Sequence, residues 1–129
     1  MTVLVAYLPT AEGEAAFAAG LAESDRRGEP LVLVNSPRTG APVSNTAADE
    51  ATLARLRESA AAHNVELDIR LEGHTDDLVD LLLATADGVD ASVIIIGLRH
   101  RTAVGKLLMG SNAQRILLHS ERPVLAVKA

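Results

Sequence analysis

Four short blocks of the chain carry only apolar side chains: Val3 to Leu8, Leu31 to Val34, Val93 to Ile96 and Val124 to Val127. None approaches the ~20 residues that a membrane-spanning helix needs. Each is rich in Val, Ile and Leu and leaves no polar face for water. Runs of this length and character read as strands buried on both faces, the pattern of a parallel sheet covered by helices. Aromatics make up only 2% of the chain, so the core must be built from Leu, Val, Ile and Ala.

The segments between the blocks have helical chemistry. Residues Ala11 to Arg27 are rich in Ala and Glu, with Thr10 as N-cap and Gly28 where a helix-ending glycine belongs. Ala16, Ala19 and Phe17 are the residues expected to face the sheet. Residues 35–45 contain Pro37, Gly40 and Pro42 and read as a long loop. A second helix is expected from Ala47 to His63, with Leu53, Leu56 and Ala60 on one face and Asn64 ending it. Val65 to Leu71 alternates apolar with charged residues, a strand with one wet face and a sheet edge. Gly73-His74-Thr75 reads as a turn with Thr75 as N-cap, followed by a helix whose stripe is Leu78, Leu81 and Leu82. The last helix is expected over Asn112 to His119, and Arg122-Pro123 ends it.

Strands therefore alternate with helices from end to end, with no internal repeat, and 129 residues fit one domain, residues 1–129. Such alternation predicts an α/β fold of the flavodoxin or Rossmann kind, with right-handed crossovers and helices on both faces. The order expected for its five-stranded parallel sheet is 3-2-1-4-5, with the charged strand at an edge and the first and fourth in the centre. In that order the winding reverses between the first and fourth strands, and ligands bind beyond the carboxyl ends of strands at such a point. Those ends are Tyr7-Leu8-Pro9 and Gly97-Leu98-Arg99.

The second of them opens a stretch suited to an anion. Gly97 is expected to stop the fourth strand and turn the chain into a basic loop, Arg99-His100-Arg101. Gly110-Ser111 then starts a helix. Backbone N–H groups of Gly110, Ser111, Asn112 and Ala113 could meet phosphate oxygens, with the Ser111 hydroxyl as a further donor.

From Gly97 the spacing is two residues, His100, nine residues, Gly110-Ser111, and the chain ends in Arg122-Pro123-Val124-Leu125-Ala126-Val127. This resembles the universal stress protein family, with its signature G-x2-G-x9-G-[S/T] and its Pro-Val-Leu-Val-Val ending. The resemblance runs the whole length of the chain. It implies an adenine nucleotide alpha-hydrolase-like sheet that binds ATP or AMP after strands one and four in many members. It also implies dimers that pair the last strands, here through Val124, Leu125 and Val127. At the implied nucleotide site Ala6, Tyr7 and Leu8 lie on one side, with Ala6 offering backbone contacts and Val34 a wall for the adenine. Gly97, Arg99, His100, Gly110, Ser111, Asn112 and Ala113 lie on the other. Two positions depart from the family: His100 replaces the middle glycine, and Leu8 replaces an Asp that faces the ribose and any metal. No carboxylate stands in for that Asp unless Glu12 reaches back. The same resemblance includes members that bind no nucleotide and act through partners.

Plainer readings exist for the same residues. Ser111 is a good helix cap, and a basic triplet can be a solvated loop. Gly105-Lys106 lacks the first glycine and the following Ser or Thr of a phosphate-binding P-loop. His63, His74, His100 and His119 match no zinc spacing, so no metal site is expected, although the metal requirement of a bound nucleotide stays open. Asp76, Asp77 and Asp80 suit a helix start, and no serine stands in a nucleophile motif. A binding module is expected rather than an enzyme, slow ATP hydrolysis being the least supported function.

A net charge of −5 and the scarcity of aromatics argue against nucleic acid as partner. Cysteine is absent, which excludes thiol chemistry. With no basic leader and no membrane span, the expected location is the cytoplasm.

Overall fold

A computed structural model describes residues 1–36, 48–73, 77–98 and 110–129. The elements are β1 (Thr2–Ala6), α1 (Ala11–Arg27), β2 (Leu31–Asn35), α2 (Glu50–Ala62), β3 (Leu67–Leu71), α3 (Leu78–Gly88), β4 (Ala91–Leu98), α4 (Ser111–His119) and β5 (Val124–Lys128). All strand pairs are parallel, and the sheet order is β3-β2-β1-β4-β5, as the alternation of elements predicts.

Each sheet face has its own core. Val3, Val5, Leu33, Val93 and Ile95 meet Phe17 and Leu21 of α1 and Leu56 and Ala60 of α2. Leu4, Val32, Val34, Ile94 and Ile96 meet Val79 and Leu82 of α3 and Ile116 of α4. This period-two division explains why the middles of the central strands are apolar on both sides, with Thr2, Asn35 and Ser92 confined to strand ends: both faces are covered. Each such side chain contributes about 2 kcal/mol by leaving water. The edge strand β3 alternates as expected from Leu67 to Ile69, but Arg70 is half-buried and Leu71 exposed where the strand ends; Arg70 Nε donates to Asp68 at 3.2 Å.

Helix ends follow local chemistry, and several differ from the sequence expectation. Thr10 does cap α1, its hydroxyl accepting from Gly13 N at 3.2 Å, and Gly28 ends it with φ of 67°. The second helix begins at Glu50 rather than Ala47, because the Asp49 carboxylate accepts from Thr52 N at 2.8 Å. β3 starts at Leu67 rather than Val65. The Val65 amide is taken by Ala60 O at 2.9 Å and so belongs to the end of α2. Asp77, not Thr75, caps α3, accepting from Val79 N at 2.9 Å. Thr75 lies outside the described residues. The buried face of α3 is Val79, Leu82, Thr85 and Ala86, with Leu78 and Leu81 only partly covered. The α4 helix ends at His119 with Ser120 as its C-cap, before Arg122-Pro123 is reached.

The register of the central strands sets up the functional end of the sheet. Val5 lies opposite Ile95 and Ala6 opposite Val34. Tyr7 and Gly97, each two residues beyond the first pair, therefore reach the same level at the carboxyl edge.

Candidate functional site

A cleft opens at that edge, where the winding reverses. Its floor comes from the strand ends: Ala6, Tyr7 and Leu8 after β1, Val34 of β2, and Ile96 and Gly97 of β4. One wall is the first turn of α1, with Thr10, Glu12 and Gly13. The other wall is formed by Leu78 and Leu82 of α3 and by Asn112, Ala113 and Ile116 of α4. The room inside is about 150 Å³. That is below the ~300–1,000 Å³ of most ligand pockets, so a guest of nucleotide size would extend beyond the part lined by described residues.

Two close approaches shape the cleft. Gly97 does not stop β4, which runs on through Leu98. Its lack of a side chain instead admits the backbone of α1: a Cβ on Gly97 would lie 1.9 Å from the Glu12 carbonyl oxygen. A Cβ on Gly13 would likewise lie 1.7 Å from the Leu8 carbonyl oxygen. The first turn of α1 is thus pressed onto the tips of β1 and β4, and Glu12 is carried into the cleft.

Buried polar groups hold the floor in place. Asn35 Nδ2 donates to Tyr7 O at 3.1 Å, and Asn35 Oδ1 accepts from Ala48 N at 3.0 Å. One fully buried amide therefore joins the ends of β1 and β2 to the chain entering α2. The Tyr7 hydroxyl turns away from the cleft and donates to Glu14 Oε1 at 2.9 Å, and Arg55 of α2 pairs with the same oxygen. The Tyr7 ring packs edge-on against Phe17, with centroids 6.5 Å apart. Burial, and then the Glu14 carboxylate, push the Tyr7 phenol up to about 12.

At the α4 end of the cleft the cap position is Gly110, which makes no side-chain bond to the first-turn amides. Ser111 is thus the first helical residue and not the cap, correcting the plainer reading of its hydroxyl. The first turn of α4 holds no acidic residue, whereas those of α1, α2 and α3 do. Across from it, Asp77 of α3 accepts from Arg115 Nη1 at 3.0 Å and Nη2 at 2.5 Å. The guanidinium holds that carboxyl below the usual carboxylate range.

Of the residues singled out in the sequence, Ala6, Tyr7, Leu8, Val34, Gly97, Asn112 and Ala113 come together in the cleft lining. Gly110 and Ser111 start α4 beside it without lining it. Arg99 and His100 lie outside the described residues. Leu78 with Leu82, and Asn112 with Ile116, are pairs one helical turn apart in the cleft lining; sequence reasoning put the first pair on a core stripe and did not bring Leu78, Leu82 or Ile116 to the site. Their i, i+4 spacing was the available signal. Glu12 is the single charged side chain in the described lining. Among the described residues, no group of three His, Cys, Asp or Glu side chains could hold a metal ion.

Fold and cleft together define a doubly wound α/β protein with a crevice at its switch point. The chain belongs to the universal stress protein family, whose model matches residues 1–128. It is 37% identical to a universal stress protein of Mycolicibacterium smegmatis, covering 98% of this chain and 96% of that one. It superimposes on a universal stress protein from Archaeoglobus fulgidus with a TM-score of 0.80 at 27% identity, covering 98% of this chain and 97% of that one. A universal stress protein of the same organism in complex with dAMP gives a TM-score of 0.69 at 24% identity, with 98% and 96% covered.

Proposed function

We propose that this chain is a regulatory binding module of one domain, residues 1–129, acting in the cytoplasm and holding an adenine nucleotide, ATP or AMP, in the switch-point cleft. The observation that carries this reading is the order of chemistry across the cleft. Val34 and its neighbours from α3 offer an apolar wall at the β2 side. Glu12, whose backbone carbonyl lies against Gly97, also lines the cleft, and its carboxylate suits neutral hydroxyl donors. The first turn of α4, with no carboxylate and no side-chain cap, stands at the β4 side and suits an anion. An apolar plane, a polyol and an anion in a row describe a nucleoside phosphate. The dAMP complex of the structural relative is a precedent on the same fold. Ala6, Tyr7, Leu8, Val34, Gly97, Asn112 and Ala113 are the contacts proposed within the cleft, with Gly110 and Ser111 at its anion end; Arg99 and His100, outside the described residues, are proposed as further partners of the phosphate.

The test is thermal unfolding with AMP, dAMP and ATP against GMP. A ligand at about 100 times its Kd adds roughly 2.7 kcal/mol, which corresponds to a Tm increase of several degrees. Adenine nucleotides should raise the midpoint and GMP should raise it less. No movement at millimolar AMP or ATP refutes the reading. It would leave the alternative, a stress protein acting through partner contacts, which the apolar Leu8 in the cleft favours. Turnover of labelled ATP would assign a hydrolase instead.

The same proposal includes a homodimer through β5. This strand pairs with β4 alone among the described strands, its Leu125 is 36% exposed, and Leu118 of the adjacent α4 is 78% exposed. An apolar edge of this kind invites a further strand. Light scattering is expected to give twice the 13.5 kDa of the chain, and Leu125→Lys should halve that mass. A monomeric wild type at micromolar concentration removes this part.

A further inference from the structure

Among the described residues, the helix that ends the cleft has little apolar packing of its own. The α4 helix has nine residues and one buried side chain, Ile116, and its cap makes no side-chain bond. Helices this short are marginal on their own, and one buried side chain with the small, partly buried Ala113 beside it leaves the direction of the first turn loosely set among the described residues. A polar contact supplies what is missing. Arg115 lies one turn beyond the cleft residue Asn112 and makes a two-pronged bond to Asp77, with contacts of 3.0 and 2.5 Å. Asp77 immediately precedes the cleft residue Leu78 and is itself anchored to α3 through Val79 N at 2.9 Å. Bidentate guanidinium–carboxylate pairs fix orientation as well as distance.

We infer that Arg115 and Asp77 are positioning residues: their pair tethers α4 to the start of α3 and aims the α4 first-turn amides at the anion end of the cleft. This rests on the nucleotide reading above. The pair touches water on both sides, the Arg115 side chain 41% exposed and that of Asp77 27%. Exposed pairs contribute little to global stability, so the tether acts on ligand recognition and leaves the fold nearly unchanged.

The experiment is calorimetric titration of AMP and of adenosine into the wild type, Arg115→Met, Asp77→Asn and the double variant. Asn is as good a helix cap as Asp, so Asp77→Asn keeps the start of α3 and weakens only the ion pair. Both single variants should bind AMP about fivefold or more weakly, the double variant no worse than either single, and adenosine should bind all four equally. The sign for Asp77→Asn is decisive. Simple charge attraction predicts tighter AMP binding once a carboxylate is removed, whereas a lost tether predicts weaker binding. Tighter AMP binding, an equal fall for adenosine, or no change in either variant overturns the inference while leaving the nucleotide reading intact. A wild type that binds neither AMP nor adenosine refutes both.

Discussion

Gly97→Ala is expected to destabilise the protein by about 3 kcal/mol or more and to lower Tm by roughly 10 °C. The added Cβ would lie 1.9 Å from the Glu12 carbonyl oxygen and 2.5 Å from its carbon. Both are main-chain atoms, so no side-chain rotation relieves the overlap. Either β4 or the first turn of α1 must retreat, and α1 is fastened by Phe17 and Leu21 in one of the two cores. Retreat of α1 also carries Glu12 and Thr10 out of the cleft, so ligand-induced stabilisation should vanish together with the stability. The control lies in the same motif. Among the described residues, nothing stands within 4 Å of where a Gly110 Cβ would lie, and its φ is −59°. Gly110→Ala should therefore fold nearly as well as the wild type. A Gly97→Ala protein with a Tm within about 1 °C of wild type would contradict the packing of α1 against β4.

Alkaline pH should weaken the fold through one residue. The Tyr7 phenol ionises at about 12 in the folded chain, against an ordinary value of 10.0. Between those values the unfolded chain has released the proton and the folded chain still holds it. The unfolded state then binds fewer protons, and stability falls as pH rises. The contribution is fully present below pH 10 and amounts to roughly 2–3 kcal/mol when lost. Tyr7 is the single tyrosine and tryptophan is absent, so tyrosinate absorbance reads this group directly. A midpoint near 12, or a rise that coincides with unfolding, is expected. Tyr7→Phe should lose this part of the alkaline sensitivity. A midpoint near 10 in protein that is still folded would mean that the hydroxyl is neither buried nor bonded to Glu14.

Much of this was legible from pattern. The fully apolar blocks, the charged alternation within residues 65–71 and the caps Thr10 and Gly28 act within a few residues of themselves. Their physical signal is therefore written in adjacent positions. Boundaries failed where two local rules competed: Asp49 and Asp77 proved to be the caps because their carboxylates reach the free amides, and the Val65 amide was taken by the preceding helix. The role of Gly97 was misread for a different reason. A turn and a close approach both demand glycine, and what distinguishes them is a helix more than eighty residues earlier in the chain.

The sequence by itself determined the α/β class, the strand order and the end of the sheet where the cleft opens, because hydrophobic period and chain handedness are local properties that restrict topology. Only the tertiary structure decided that Glu12 enters the cleft and Leu8 does not exclude it, that the Tyr7 hydroxyl points away towards Glu14, and that Arg115 ties α4 to Asp77. Those outcomes depend on side chains from elements far apart in sequence meeting at distances of a few ångströms. Such distances follow from how the helices seat on the sheet, and no spacing along the chain encodes them.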